Sequence, residues 1–121
     1  MSTIKRRFKL YNNRPSQRID EMTSEKFIEY RNAIEREYSA AVTKHPKFCD
    51  KLIDESKVAW AETEFRIKAK NSKPPYYADC ILMEEVAEAF AAISAGEKEH
   101  AKQELAQVSA VCLRIMEEVD K

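Results

Sequence analysis

The chain has 121 residues, which is enough for one domain with one core but hardly for two. Its 21 basic and 21 acidic side chains cancel, so no overall field draws it to nucleic acid or to an anionic membrane. No apolar run approaches the length of a membrane span, and the first residues lack the apolar core of a signal peptide. We therefore expect a cytoplasmic protein with neither nucleic acid nor a membrane among its partners.

The composition also indicates the fold class and the state of the cysteines. Gly occurs once, while residues that favour helices are abundant, so the sequence predicts an all-α protein. The three cysteines, Cys49, Cys80 and Cys112, are odd in number and far apart, and they form no Cys-x-x-Cys pair. We interpret them as reduced core residues, not as a disulfide framework or a zinc site.

We predict two regions, a basic N-terminal arm over residues 1–22 and an all-α domain over residues 23–121. The first 18 residues contain no acid, and their basic residues are Lys5, Arg6, Arg7, Lys9, Arg14 and Arg18. Such a segment is typical of a flexible or loosely docked arm. Two sharper alternatives remain open: the arm packs on a second subunit, or it brings positive charge toward a phosphate.

The first predicted helix follows the arm. Thr23 or Ser24 can cap it, and it runs to about His45, where Pro46 ends the apolar pattern. The apolar positions recur at helical spacing and comprise Phe27, Tyr30, Ile34, Tyr38, Ala41 and Val42.

Two shorter helices are predicted next. The first of them is suggested by Phe48, Cys49, Leu52 and Ile53. The second is suggested by Val58, Trp60, Ala61, Phe65 and Ile67, and it ends near Asn71. Pro74 and Pro75 then form a connector, because proline lacks a backbone donor and restrains the residue before it.

Two longer helices complete the chain. The fourth predicted helix runs from about Tyr77 to Ala95 and is closed by Gly96 in the usual C-terminal capping role. The fifth runs from about Glu97 to Val119. Because their connection is short, we expect an antiparallel helical hairpin, with a four-helix core completed by dimerisation.

Acidic residues lie near the packing faces of both long helices. The apolar stripe of the fourth helix comprises Leu82, Val86, Ala89, Phe90 and Ile93. Glu85 lies at the edge of this stripe and Glu88 somewhat beyond it, whereas Glu84 points nearly opposite. We therefore expect Glu84 to be solvated, or to support the other carboxylates from outside.

The fifth helix places a matching pair on its own apolar stripe, which comprises Ala101, Leu105, Val108, Cys112, Ile115 and Val119. Glu104 lies within the stripe, and Gln107 lies on its flank one turn further on. Buried carboxylates need a partner, and a divalent cation with oxygen ligands satisfies several at once. The sequence therefore favours a metal site between the two helices. The alternative is that these acids fall on face edges by chance and form surface salt bridges.

This ordered acidic pattern resembles the EExxE…ExxD signature of MazG-like, all-α nucleoside triphosphate pyrophosphohydrolases. It consists of Glu84-Glu85-Val86-Ala87-Glu88, a fifteen-residue spacer and Glu104-Leu105-Ala106-Gln107. The flanking residues 81–83 and 108–114 are also similar to small MazG-like proteins, many of them encoded by phages. The similarity is clear over about residues 78–119.

The resemblance implies a homodimer or tetramer that binds Mg²⁺, with Mn²⁺ as a substitute. Such an enzyme cleaves a nucleoside triphosphate between the α- and β-phosphates, releasing a nucleoside monophosphate and pyrophosphate. Position by position, Glu85, Glu88 and Glu104 match metal ligands, and Glu84 matches an accessory acid. Gln107 stands where the pattern has Asp. Its amide can donate an oxygen to Mg²⁺, but it carries no negative charge and cannot act as a base.

Further roles are predicted for individual residues. Glu84 or Glu85 is the candidate to orient or deprotonate the attacking water. Lys102 and Arg114 are candidates to contact distal phosphates, and Tyr77 is a candidate to stack on the base. The alternative for these three is an ordinary solvated helix face and an aromatic rim.

Two other functions compete with this one. A catalytically weak or inactive helical nucleotide-binding or protein-interaction module is the alternative function, and Gln107 favours it. Glu97-x-x-His100 has the spacing found in di-iron bundles, but the second copy that such bundles need is missing. We therefore do not expect a di-iron site.

Overall fold

The computed structural model describes residues 24–54 and 59–121 of the chain. These residues contain four helices and no strand, which confirms the all-α prediction. The helices are α1 (Ser24–Lys44), α2 (Trp60–Lys70), α3 (Ala78–Ser94) and α4 (Lys98–Val119). The predicted N-terminal arm, residues 1–22, lies outside the described residues. None of the described helices combines the length and the apolar character that a membrane span requires.

The described residues fall into two structural units, with α1 in the first and α2, α3 and α4 in the second. Helix α1 begins at Ser24 and ends one residue before the predicted His45. Of its apolar stripe, Tyr30 is buried, whereas the later positions Ile34, Tyr38 and Val42 are exposed. The periodicity therefore predicted the helix correctly, although the C-terminal half of its apolar face is open to solvent.

The short helix expected around residues 48–53 is absent from the structure, because residues 45–54 contain no helical turn. Its anchoring side chains Phe48 and Leu52 are 87% and 62% exposed. A helix of so few residues is unstable in water unless an apolar face is buried, and this segment buries none. Cys49 is likewise exposed, so its assignment to the core was wrong, although all three cysteines are free as expected.

Helix α3 packs against both α2 and α4, and it therefore forms the centre of the second unit. The contact with α2 includes a stacked pair of rings, Trp60 and Phe90, whose centroids are 4.9 Å apart. Such a pair contributes about 0.5–1.5 kcal/mol beyond the area that it buries. Being packed on two sides, α3 buries residues around much of its circumference, and this decides the environment of its carboxylates.

The turn between α3 and α4 is closed by Gly96, as predicted. Gly96 has a φ of +77°, in the left-handed region that favours glycine. The backbone N–H of Gly96 donates to the Ile93 oxygen, and that of Glu97 donates to the Ala92 oxygen, both at 3.0 Å. This pattern is a Schellman motif, which satisfies carbonyl groups at the end of α3. Only residues 95–97 separate α3 from α4, and the two helices are in contact.

The core of the second unit is small and rich in alanine. Its buried apolar residues are Ile67, Ala87, Ala89, Ala92, Ala101 and Val111. Four of the predicted apolar positions in this unit, Ala61, Phe65, Leu105 and Val119, are exposed instead. On α4 the buried positions are centred on Ala101, Glu104 and Val111, a face rotated from the predicted stripe. The stripes were predicted from hydropathy, whereas the buried faces depend on which helices are in contact.

Candidate metal centre

Three glutamates from the two longest helices of the second unit converge inside it. Glu85 and Glu88 lie one turn apart on α3, and Glu104 lies on α4. One carboxylate oxygen from each can be chosen so that all three lie within 4.8 Å of one another. The exposed fractions are 0% for Glu85, 3% for Glu88 and 1% for Glu104. The structure thus brings together the three carboxylates that the sequence predicted to meet.

The convergence follows from the local sequence. Helical spacing places Glu85 and Glu88 on adjacent turns, and the small residues Ala89 and Ala92 follow them on the buried part of α3. Ala101 occupies the corresponding place on α4, three residues before Glu104. Small side chains let two helices approach closely, because interaxial distance depends on the residues at the contact. The longer glutamate side chains then reach into the same space.

The electrostatics of this cluster, which we call the glutamate triad (Glu85, Glu88 and Glu104), favour a cation. Carboxylates this close repel one another, and burial removes the water that would screen them. A proton, a basic side chain or a metal ion must offset the charge. Hard divalent cations prefer carboxylate and amide oxygens, which is the donor set present.

Gln107 supplies a further oxygen on the same helix as Glu104. Its Oε1 atom is buried and has no hydrogen-bond partner among the residues that the structure describes. Leaving such an acceptor buried is costly, so an uncompensated amide oxygen calls for a donor or a cation. The triad could therefore hold a metal ion, and helical spacing puts Gln107 one turn from Glu104.

Glu84 is buried, which corrects the expectation that it would be solvated. It is 0% exposed because α3 is covered by α2 as well as by α4. The side-chain Nδ2 of Asn71, the residue that caps the C-terminus of α2, donates to Glu84 Oε1 at 3.1 Å. The other oxygen, Oε2, is buried without a hydrogen-bond partner within the described part of the chain. The other expectation for Glu84, a supporting position beside the ligands, remains a prediction.

A lysine from α2 stands at the edge of the triad. Lys68 Nζ lies 3.8 Å from Glu88 Oε1 and also forms a close ion pair with Glu64, one turn earlier on α2. The Lys68 side chain is 30% exposed, so it is partly shielded from solvent. Positive charge from a third helix therefore reaches the carboxylate cluster.

A histidine on α4 contacts the triad through Glu104. His100 Nε2 lies 3.1 Å from Glu104 Oε1, within hydrogen-bond distance, and the tautomer that carries a proton on Nε2 would donate to the ionised carboxylate. Its Nδ1 lies 3.8 Å from Glu97 Oε2 near the surface. Outer groups that donate to a ligating carboxylate fix its orientation. The Glu-x-x-His sequence, which we did not expect to form a di-iron site, thus lies next to the triad.

The residues predicted to bind substrate lie in less enclosed places. Lys102 forms a surface ion pair with Glu99 at 3.3 Å, and Arg114 Nε lies 3.3 Å from Glu117 Oε1. Tyr77 is the exposed residue that precedes α3. None of these contacts tests a role in substrate binding, so that role stays a prediction for all three.

Sequence reasoning missed three neighbours of the acidic residues, namely Asn71, Lys68 and His100. His100 could have been found, because it precedes Glu104 by one helical turn. Lys68 and Asn71 carried no such signal, since their contacts depend on how α2 packs against α3.

Comparisons with protein-family models, curated proteins and solved structures give no match to the chain. The MazG-like resemblance therefore remains a prediction from the acidic pattern.

Proposed function

We propose that the protein is a Mg²⁺-dependent nucleoside triphosphate pyrophosphohydrolase of the MazG-like type. The observation that carries the proposal is the buried convergence of Glu85, Glu88 and Glu104. These are the same positions that match metal ligands in the MazG-like signature. A buried acidic cluster with an adjacent unsatisfied amide oxygen is costly to maintain, which favours a functional reason for it.

In this proposal the triad and the Gln107 oxygen hold Mg²⁺. When bound, the ion supplies charge neutralisation and Lewis acidity, which a polyanionic substrate needs at a site rich in carboxylates. The chain's own residues orient the reactants. Asn71 fixes one oxygen of Glu84, so the remaining oxygen Oε2 is held in a defined direction.

The proposed reaction assigns a proton acceptor. Water attacks the α-phosphorus, the bond to the oxygen bridging the α- and β-phosphates breaks, and pyrophosphate leaves with that oxygen. Glu84 or Glu85 accepts the proton of the attacking water. Glu84 is the better candidate, because its Oε2 atom is not needed by the triad and has no hydrogen-bond partner in the described structure.

The proposal includes an antiparallel α3–α4 hairpin and a homodimer. The three-residue connection and the contact between the two helices support the hairpin. Exposed apolar side chains on this unit, including Phe65, Met83 and Leu105, support a second copy that would cover them. A four-helix core completed by the partner's hairpin is the arrangement that we infer.

The proposal is tested by pyrophosphate release from a panel of ribo- and deoxynucleoside triphosphates, with Mg²⁺ and with a chelator. We expect release that depends on Mg²⁺ and is lost in Glu85→Gln and Glu104→Gln. The matched control is Glu99→Gln, an exposed acid on α4, which should retain full activity. Full activity in both triad variants would refute the site. If the wild-type chain releases no pyrophosphate from any nucleotide, the proposed enzymatic activity is refuted.

The second candidate is a helical binding module that keeps nucleotide affinity without turnover. Gln107 favours it, because an amide at this position removes one negative charge from the site. Mg²⁺-dependent binding of a nucleoside triphosphate without pyrophosphate release would identify the module. Glu104→Gln should abolish that binding as well, since the same triad would hold the ion.

A further inference from the structure

Lys68 is a basic side chain that the structure places within ion-pair distance of the triad. Its ammonium group lies 3.8 Å from Glu88 Oε1, an interaction that joins α2 to α3. Glu88 is almost completely buried, whereas the Lys68 side chain is 30% exposed. The lysine therefore contacts a buried carboxylate of the triad while part of its own side chain remains in solvent.

A metal ion at the triad would change the partners of Lys68. A divalent cation and an ammonium group both favour the same Glu88 carboxylate, and they repel one another. Lys68 would retain Glu64, its ion-pair partner one helical turn earlier, because that contact lies within α2. Its remaining donors would then be available for an anion, since an ammonium group has three N–H donors.

We propose that Lys68 is a polyphosphate-binding residue of this site, and the inference rests on the proposed function. In the metal-free protein it is a counterion of Glu88. When Mg²⁺ and a polyphosphate are bound, Lys68 donates to a phosphate oxygen, while its ion pair with Glu64 keeps it beside the site. Lysine commonly binds phosphate in this way, as a point charge with rotatable donors.

Substitution of Lys68 should change two affinities in opposite directions. Lys68→Gln removes a cation that competes for Glu88, so Mg²⁺ alone should bind about two- to fivefold more tightly. The same variant loses a charged donor to phosphate, so inorganic tripolyphosphate at saturating Mg²⁺ should bind about tenfold more weakly. A residue that only stabilised the helices would not produce this pair of opposite effects.

Titration calorimetry of the full-length chain measures both affinities. Lys70→Gln is the matched control, because it removes the same charge from an exposed lysine two residues further along α2. Lys68→Arg keeps the charge and should bind tripolyphosphate within about threefold of wild type. This second variant tests the inference even if Lys68→Gln folds poorly.

The possible results distinguish the phosphate-binding role of Lys68 from the metal site on which that role depends. Wild-type binding of Mg²⁺ and tripolyphosphate with unchanged affinities in Lys68→Gln would overturn the role of Lys68 and leave the metal site standing. Weaker Mg²⁺ binding in Lys68→Gln would also overturn it. Absence of Mg²⁺ binding by the wild-type chain would overturn the metal site and the role of Lys68 together.

Discussion

Asn71 donates a hydrogen bond from Nδ2 to Glu84 Oε1 over 3.1 Å, and both side chains are buried. The same nitrogen lies 2.9 Å from the backbone oxygen of Cys80 and donates to it as well. One side-chain amide at the end of α2 therefore secures the first turns of α3 and orients a carboxylate there. This contact couples the fold of the second unit to the chemistry proposed for it.

We predict that Asn71→Ala lowers the free energy of unfolding by about 1–3 kcal/mol, because it leaves Glu84 buried without this donor. Urea denaturation followed by circular dichroism measures the change. Asn32→Ala, an exposed asparagine on α1, is the control and should be nearly neutral. A loss below about 0.5 kcal/mol for Asn71→Ala, within the range of ordinary surface substitutions, would contradict the structural role.

We predict that Gln107→Asp strengthens Mg²⁺ binding by about tenfold, equivalent to about 1.4 kcal/mol, because it adds a negative charge where the buried amide oxygen lies. A latent enzyme should also release pyrophosphate faster, whereas a binding module should show only the stronger Mg²⁺ binding. Calorimetry and a pyrophosphate assay separate the two cases. Gln103→Asp, on an exposed face of α4, controls for added charge and should change neither quantity.

We predict that His100→Ala weakens Mg²⁺ binding by about tenfold, because Glu104 loses the group that orients one of its oxygens. Calorimetric titration of Mg²⁺ checks this, and a thermal melt in chelator shows whether the fold is retained. His45→Ala removes the chain's other histidine from an exposed segment and should leave the affinity unchanged. Equal affinities in both variants would mean that His100 has no influence on the triad.

We predict that Gly96→Ala lowers the free energy of unfolding by about 1 kcal/mol. The cost comes from the backbone alone, because Gly96 has a positive φ and an added Cβ would meet no atom within 4 Å. Gly96→Asn should cost less, since asparagine tolerates the left-handed region better than alanine does. Thermal and urea unfolding measure both variants, and an alanine variant as stable as wild type would refute this explanation.

Much of the candidate site was predictable because it depends on local periodicity. Glu85, Glu88 and Glu104 are related by helical spacing and by one short connection, and a single glycine marks that connection. Once two helices of that length are joined closely, few arrangements of their facing residues remain. The metal hypothesis followed from those residues alone.

The sequence predictions that failed share one physical cause. Each of them depended on whether another part of the chain covers the residue concerned. Glu84 was expected in solvent because hydropathy identified one packing face of α3, whereas α2 covers a second face. Leu105 was expected in the core and is exposed, because α4 packs through Ala101 and Glu104. Short apolar clusters such as Phe48 and Leu52 form no helix when nothing buries them.

By itself, the sequence determined that the described chain is helical, where its four helices end to within one residue, and which carboxylates could meet. Helical spacing, proline and glycine act within a few residues and need no tertiary context. Only the tertiary structure decided that Asn71 holds Glu84 and that Lys68 reaches Glu88. Those contacts join residues that are distant in the sequence. They form only when particular helix faces pack together, and that packing depends on all the helices of the unit.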